Sequence, residues 1–370
     1  MTEKISIYMD YNASAPLLPA VKAAMVEAME TVGNAASIHA HGRAGRACVD
    51  HARREICEHV DAKGAQLVFT GSATEANNMV LRGIPAKSFL ISSIEHPSLF
   101  QVRDDLHYIP VDGNGVVQLQ ALERILKNLP APALVSVMLV NNETGVIQPL
   151  AEIVQIARAC GAVVHTDAVQ ALGKLPVSFH KLGVDLMTIA SHKLGGPAGV
   201  GALIIREGVT LNPLMLGGGH EQGLRAGTQN IALIEGFRIA LQQTQGAQLQ
   251  ATESLRNQME EAILNFCPAA NVYGRSVARA PNTSYIAMPG VSAEVQLMAF
   301  DLAGISVSSG SACSSGKVRP SHVLKAMGID YAQAGGVIRV SLGWDSKPDD
   351  IEAFIANWKQ IYESNARKVA

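Results

Sequence analysis

The richest chemistry lies in SHKLGGPAGVGAL (191–203). Lys193 follows the apolar run DLMTIA (185–190) and precedes Gly195, Gly196, Pro197, Gly199 and Gly201. The run reads as a buried strand, and ligands of open α/β sheets bind beyond the carboxyl ends of strands. An amine fixed there could form a Schiff base with a carbonyl cofactor, although most lysines are solvated surface groups. HTDAVQ (165–170) places Asp167 at the end of another apolar run. A carboxylate there could keep a pyridine nitrogen protonated, which makes the ring an electron sink, or it could cap a helix. FTGSATEANN (69–78) reads as strand, turn and helix start. Free N–H groups, with the Ser72 and Thr74 hydroxyls, could hold a phosphate there. The G-x-x-x-x-G-K-[ST] phosphate loop is absent. A strand-end amine, a strand-end carboxylate and a phosphate-type turn together point to pyridoxal 5′-phosphate (PLP).

Four further residues extend this set. His96, in IEHPS, could stack on a ring or shuttle protons, or be a packed loop histidine. Asn142, in VNNETG, could hydrogen-bond the cofactor's phenolic oxygen or merely shape a turn. Arg339 sits inside the apolar run VIRVSL and needs an anion. A substrate carboxylate would suit its fork, and an internal ion pair fits equally well. Cys313 stands in VSSGSACSSGKVRPS, a stretch whose composition reads as a mobile, exposed loop. Lys317 and Arg319 nearby would lower its thiol pKa and favour a nucleophile over a packed thiol.

Positioning these groups requires a scaffold. Short apolar runs at 66–70, 88–93, 134–140, 162–166, 185–190 and 202–206 alternate with amphipathic stretches such as 121–129 and 150–160. That rhythm predicts an α/β fold with a large, mostly parallel, helix-covered sheet. After about residue 230 the pattern changes. Helices are expected at 231–245, 253–266, 292–303 and 348–364, with strands at TSYIAM, ISV and VIRVSL, as in a smaller α+β domain. The large domain is expected over 15–245, with 1–14 and 246–370 forming the small one that carries Cys313 and Arg339.

Composition narrows the function classes. At 48% hydrophobic and 17% charged, the 370-residue chain can bury a large core and is not a disordered one. A net charge of −2, no basic block and 5% aromatic residues argue against nucleic acid or an anionic membrane as partner. No apolar run approaches the roughly 18 residues of a membrane helix, and the N-terminal stretch lacks a signal-peptide layout. Five cysteines, at 48, 57, 160, 267 and 313, form no C-x-x-C pair. That argues against a disulfide framework or a four-cysteine zinc site, and for a reducing, cytoplasmic location.

YMDYNASAP, FTGSATEANN, EHPS, VNNETGVIQP, HTDAVQALGK, SHKLGGPAGVGAL, GGGHEQGLRAGTQN, SSGSACSSG and RVSLG occur in this order. From about residue 7 to 344 the chain resembles the cysteine desulfurases, PLP enzymes of the class V aminotransferase group with the type I fold. The Ser/Gly-rich stretch around Cys313 resembles the NifS/IscS-like branch. The resemblance implies roles residue by residue. Lys193 would hold PLP and move the substrate proton, and His96 would stack on the ring and take part in acid/base steps. Asp167 would pair the ring nitrogen, and Gln170 and Asn142 would contact the phenolic oxygen or position the ring. Ala73, Thr74 and His192 would bind phosphate. Arg339, with Asn142, would bind the carboxylate of L-cysteine. Thr228 would reach the phosphate of a second subunit, implying a homodimer. Cys313 would carry the persulfide and pass sulfur to an acceptor such as an iron–sulfur scaffold. No resident metal is implied, and any iron–sulfur contact through Cys313 would be transient. The chain departs from the family where Ala190 replaces a phosphate-binding serine, leaving Ser191 beside it as the candidate hydroxyl. The competing readings are a selenocysteine lyase or other class V lyase or aminotransferase, and a non-enzymatic relative that keeps the fold alone.

Overall fold

A computed structural model describes residues 7–244, 246–310 and 321–369. Cys313, Lys317 and Arg319 lie outside the described residues. The first strand, β1 (Ile7–Tyr8), joins the C-terminal part of the molecule. Seven strands then build the main sheet. They are β2 (Gln66–Thr70), β3 (Ser88–Ser92), β4 (Leu106–Ile109), β5 (Ala133–Ser136), β6 (Val163–Asp167), β7 (Leu186–Ala190) and β8 (Gly201–Ile205). Their order is β2-β8-β7-β6-β5-β3-β4. Neighbours run parallel except at β8, which is antiparallel to both β2 and β7. The α/β fold with a mostly parallel sheet is therefore as expected.

Both faces of the sheet are covered, which is why most of its strands read as unbroken apolar runs. Leu90, Val135, Val164, Met187 and Ile189 pack with Ile56, Leu122 and Ile153 on one side. Val68, Leu134, Leu186 and Leu203 pack with Met79 and Val80 of the helix Ala73–Gly83 on the other. β4 escaped the sequence pattern because it is an edge strand with His107 and Tyr108 exposed. The run 134–140 is expected as one strand, but its pairing with β3 stops at Ser136. Val137 and Leu139 still donate to the carbonyls of His165 and Asp167, at 3.1 and 2.9 Å. On the other side the carboxylate of Glu95 takes the Met138 N–H at 2.7 Å, so a side chain replaces the neighbouring strand.

The remaining strands are β9 (Asn271–Val272), β10 (Thr283–Ala287), β11 (Ile305–Ser306) and β12 (Val337–Ser341). β10 lies between β9 and β12, antiparallel to both, and β11 pairs in parallel with β1. Met9, Met259, Ile263, Ile286, Phe300, Ile338, Phe354 and Trp358 form a separate apolar cluster here. The helix Gly246–Phe266 starts before the expected residue 253, because Ala, Gln and Leu in the polar GAQLQATES stretch are good helix formers. Among the described residues no helix is long and apolar enough to cross a membrane.

Candidate active site

Asp167 ends β6, and the chain leaves β7 through Ser191 and His192 to Lys193. The Ser191 carbonyl accepts from the N–H groups of Leu194 and Gly196, at 3.1 and 3.2 Å, which folds the turn back on itself. Gly195 takes φ +88°, and a Cβ there would lie 2.7 Å from the Leu18 side chain, so glycine is required. Lys193 Nζ thereby donates to the carbonyls of Asn12 and Ala13, each at 2.7 Å. Burial, helped by the positive charge of Arg339, lowers its pKa to about 8. Near neutral pH a useful fraction is then free amine, the form that adds to a carbonyl or takes a proton.

Asn12 is the hub of this region and was not foreseen from sequence. Its carbonyl accepts from Gln170 Nε2 at 2.9 Å as well as from Lys193. Its Oδ1 accepts from Lys174 Nζ at 2.6 Å and from Asn282 Nδ2 at 3.0 Å. Its Nδ2 donates to Thr283 Oγ1 at 2.9 Å and to the Asn142 carbonyl at 3.3 Å. Lys174 also donates to Gln170 Oε1. Burial holds the Lys174 pKa well below its usual value, reinforced by Lys193 and Arg339.

On the opposite side Asp167 Oδ2 accepts from Asn77 Nδ2 at 2.8 Å, and Oδ1 accepts from the Val169 N–H at 2.9 Å. Asn77 Nδ2 also donates to Ser98 Oγ at 2.9 Å, and that hydroxyl lies 2.9 Å from His96 Nδ1. His96 Nδ1 accepts the Ser98 N–H at 3.1 Å, so the neutral ring carries its proton on Nε2. Burial lowers the His96 pKa, with Asp167 opposing. Burial likewise brings His192 down to about 4, keeping it neutral. Glu95, next to His96, is fully buried and its pKa rises to about 8 by desolvation. His165, by contrast, bonds Ser136 and Thr188 inside the sheet and is a core histidine.

Arg339 is the buried cation at the third corner. It donates through Nη2 to Asp10 Oδ1 at 2.7 Å and through Nη1 to the Asn142 carbonyl at 2.9 Å. The internal ion pair weighed against a substrate role thus exists. It leaves Arg339 Nε buried without a partner, as is Asn142 Oδ1. Buried orphaned polar atoms are costly and point to a ligand. The phosphate candidates Ala73 and Thr74 open the helix Ala73–Gly83, which Ser72 caps by accepting the Glu75 N–H. A Cβ on Gly201 would lie 3.0 Å from Ala73 N, so glycine lets β8 pass close under this helix start. Early helical N–H groups lack intrahelical partners and favour an anion. A buried amine of lowered pKa, a buried carboxylate, unpartnered polar atoms and this helix start fit PLP.

The structure brings Lys193, Asp167, His96, Gln170, Asn142 and Arg339 into linked networks. Ser191 is turned elsewhere: its hydroxyl is buried without a partner against Gly196, beside Ala240. Thr228 is exposed on a cleft it shares with Gly71, Gly199 and Arg225. Besides Asn12, sequence reading missed Asp10, Asn77 and Lys174. They stand within the motifs YMDYNASAP, FTGSATEANN and HTDAVQALGK, but only folding over long separations shows what they touch. Among the described residues no group of three His, Cys, Asp or Glu side chains could hold a metal.

Residues 7–354 match the family model of aminotransferase class V. The chain is 39% identical, over 91% of its length and 90% of the other, to a cysteine desulfurase of Cereibacter sphaeroides. It is 36% identical to an IscS-like cysteine desulfurase of Mycobacterium tuberculosis, over 94% of this chain and 93% of that one. The X-ray structure of a NifS-like protein from Rickettsia africae superposes with a TM-score of 0.88 at 34% identity, covering 97% of this chain and 99% of the other. The chain therefore belongs to the class V aminotransferase family, among the PLP-dependent cysteine desulfurases of NifS/IscS type.

Proposed function

We propose that this chain converts L-cysteine to L-alanine and transfers the sulfur to Cys313 as a persulfide. The carrying observation is the convergence on Asn12 and Asn142 of a buried amine of lowered pKa, Lys193, and a buried guanidinium, Arg339. PLP, when bound, supplies a protonated ring that takes up the electron pair left at the substrate's Cα. Lys193 would hold the cofactor carbonyl and, as a free amine, move the proton at Cα. Asp167, fixed by Asn77 and Val169, keeps the ring nitrogen protonated. His96 covers the ring and offers Nε2 for proton exchange at the substrate. Arg339 orients the substrate carboxylate with Asn142, while Asp10 holds the guanidinium in place. Ala73, Thr74 and His192 are the phosphate candidates, and Gln170 would steady the ring.

The sulfur step balances as a displacement. The Cys313 thiolate attacks the substrate sulfur, an S–S bond forms and the C–S bond breaks. The electron pair stays on carbon, which takes up a proton on the way to alanine. Cys313 lies three residue steps from Gly310, a reach of at most about 11 Å. Residues 15–245 serve as the cofactor-binding domain, with 1–14 and 246–370 as the smaller one. A second copy of the chain completes the enzyme, with Thr228 contributing to its partner's phosphate site. The exposed Leu214, Met215 and Leu216 in the preceding segment support that association. The persulfide passes to an acceptor such as an iron–sulfur scaffold in the cytoplasm. Cys48, Cys57, Cys160 and Cys267 are free thiols, as a reducing compartment would leave them.

The test is L-cysteine added to purified holoenzyme, with alanine, persulfide and sulfide measured. Lys193→Ala should lose cofactor absorbance and turnover. Cys313→Ser should keep the cofactor and lose persulfide and sulfide. Normal sulfur release by Cys313→Ser, or a keto acid in place of alanine, would overturn the reading.

A further inference from the structure

The two chain segments flanking 311–320 are held at one buried point. Glu143 follows Asn142 in a turn fixed by Asn141, whose Oδ1 accepts from the Glu143 and Thr144 N–H groups at 3.0 and 2.9 Å. The Glu143 side chain is 1% exposed, and among the described residues no Lys or Arg pairs with it. Its Oε2 accepts from Tyr285 Oη at 2.9 Å and from Ser321 Oγ. Tyr285 Oη also lies 3.1 Å from the Ser309 carbonyl. Burial and the carboxylate raise the phenol's pKa well above its usual value, so it stays a donor. Gly310, at φ +81°, sits so close that a Cβ would lie 3.1 Å from the Tyr285 ring and 3.2 Å from Glu143 Cγ.

Both feet also touch the candidate site. Ser308 donates its N–H to the Arg339 carbonyl at 3.1 Å and accepts the Arg339 N–H in return, while Tyr285 is Arg339's partner on the neighbouring strand. On the other foot His322 Nε2 lies 2.9 Å from the carbonyl of Glu95, which precedes His96. A buried carboxylate carrying two hydroxyls is an expensive brace, since apolar packing of similar volume would hold the same chain at less cost.

We infer that Glu143 and Tyr285 are positioning residues for sulfur transfer, tying both ends of the Cys313 segment to the strand and turn that carry Arg339 and Asn142. The inference rests on Cys313 as the sulfur acceptor. The foot at Gly310 dominates, because three residues lead from it to Cys313 and eight lead back from Ser321. Those spans reach at most about 11 and 28 Å. Loosening the nearer foot dilutes the thiol at the substrate more than loosening the farther one.

The experiment uses holoenzyme carrying Tyr285→Phe, Ser321→Ala or Glu143→Gln. It reads single-turnover persulfide formation by mass spectrometry, the KM for L-cysteine and the cofactor absorbance. Hydrogen exchange of the cofactor-free chain is followed separately. Tyr285→Phe should slow persulfide formation about three- to tenfold, with KM and absorbance within twofold of wild type. The Gly310 amide should exchange faster while main-sheet amides do not change. Ser321→Ala should slow persulfide formation less, and Glu143→Gln, which keeps an acceptor oxygen, should retain most of the rate. Wild-type persulfide rates and Gly310 exchange in Tyr285→Phe would overturn the inference. If that variant does not fold, Ser321→Ala decides by the same two readouts at its own foot, with exchange read at Leu324. A Cys313→Ser protein that still released sulfur would sink the desulfurase assignment of the thiol instead, whatever the exchange at Gly310.

Discussion

The region around Lys193 and the pair of feet at Gly310 and Ser321 hold their residues in different ways. Lys193 Nζ, Gln170, Lys174 and Asn142 all bond one asparagine, and the turn beneath Lys193 allows only glycine at 195. The segment that carries Cys313 is gripped at its ends, by Ser308 on Arg339 and by Ser321 on Glu143. The difference follows from the chemistry. Proton transfer and bond cleavage need groups held to a fraction of an ångström, whereas delivering sulfur to another protein needs reach. Holding the two ends of a segment keeps a thiol it carries at high local concentration near the site.

The sharpest way to break that contrast is Arg339→Ala, because Arg339 belongs to both regions. The change strands Asp10 and removes the donor to the Asn142 carbonyl. It also deletes the proposed carboxylate anchor. We expect kcat/KM for L-cysteine to fall about 100-fold, in line with about 3 kcal/mol for hydrogen bonds to a charged group. KM should carry most of the loss. Arg339→Lys should recover little, since one ammonium cannot replace a planar fork. Unchanged KM in Arg339→Ala would remove Arg339 from substrate binding.

Gly201→Ala tests how tightly the strand-end region is built. Its Cβ would meet Ile189 O at 2.9 Å and Ala73 N at 3.0 Å, all backbone that cannot swing away. Destabilisation of about 1–3 kcal/mol is expected for such overpacking, measured by denaturant unfolding, with weaker PLP retention. Equal stability would show that the helix start and β8 can separate freely.

Much of the strand-end region is legible in the sequence because its signals are local. A buried apolar run followed by His-Lys and glycines marks Lys193, and the end of AVVHT marks Asp167. The residues that hold these groups are not local. Lys193 bonds a carbonyl 181 positions away, and Asn77 bonds Asp167 across 90. Asp10 and Asn12 reach the site because the N-terminal stretch pairs with Ser341 at the end of β12. The same limit hid Tyr285, an ordinary strand tyrosine until its hydroxyl meets Glu143. Ser191 shows the converse, since adjacency to His192 says nothing about where a hydroxyl points.

Titration of the amine gives a smaller effect with a definite sign. The folded cofactor-free chain holds Lys193 at a pKa of about 8, against 10.5 in the unfolded chain. Between those values the unfolded state binds more protons, so the lysine's contribution to stability rises with pH. Compared with Lys193→Met, the wild-type apoprotein should gain Tm as pH rises from 8 to 10.5. A constant Tm difference over that window would mean that the amine titrates normally and that the Asn12 and Ala13 carbonyls do not sit on a buried group.

Ser191→Ala should do least. The hydroxyl lies in the interior of the turn with no partner, and a Cβ on Gly196 would overlap it. Removing an unsatisfied buried polar group is close to neutral or slightly stabilising, unlike removing one half of a hydrogen-bonded pair. PLP affinity should stay within twofold of wild type, by equilibrium dialysis, and the Tm should not fall. If phosphate binding used this serine, affinity would drop about tenfold, the loss of roughly one charge-assisted hydrogen bond. The helix start at Ala73 and Thr74, with His192 and a second copy's Thr228, would otherwise hold the phosphate without it. The substitution thus separates a strand-end region in which every polar group serves the cofactor from one in which a hydroxyl is spent inside the turn.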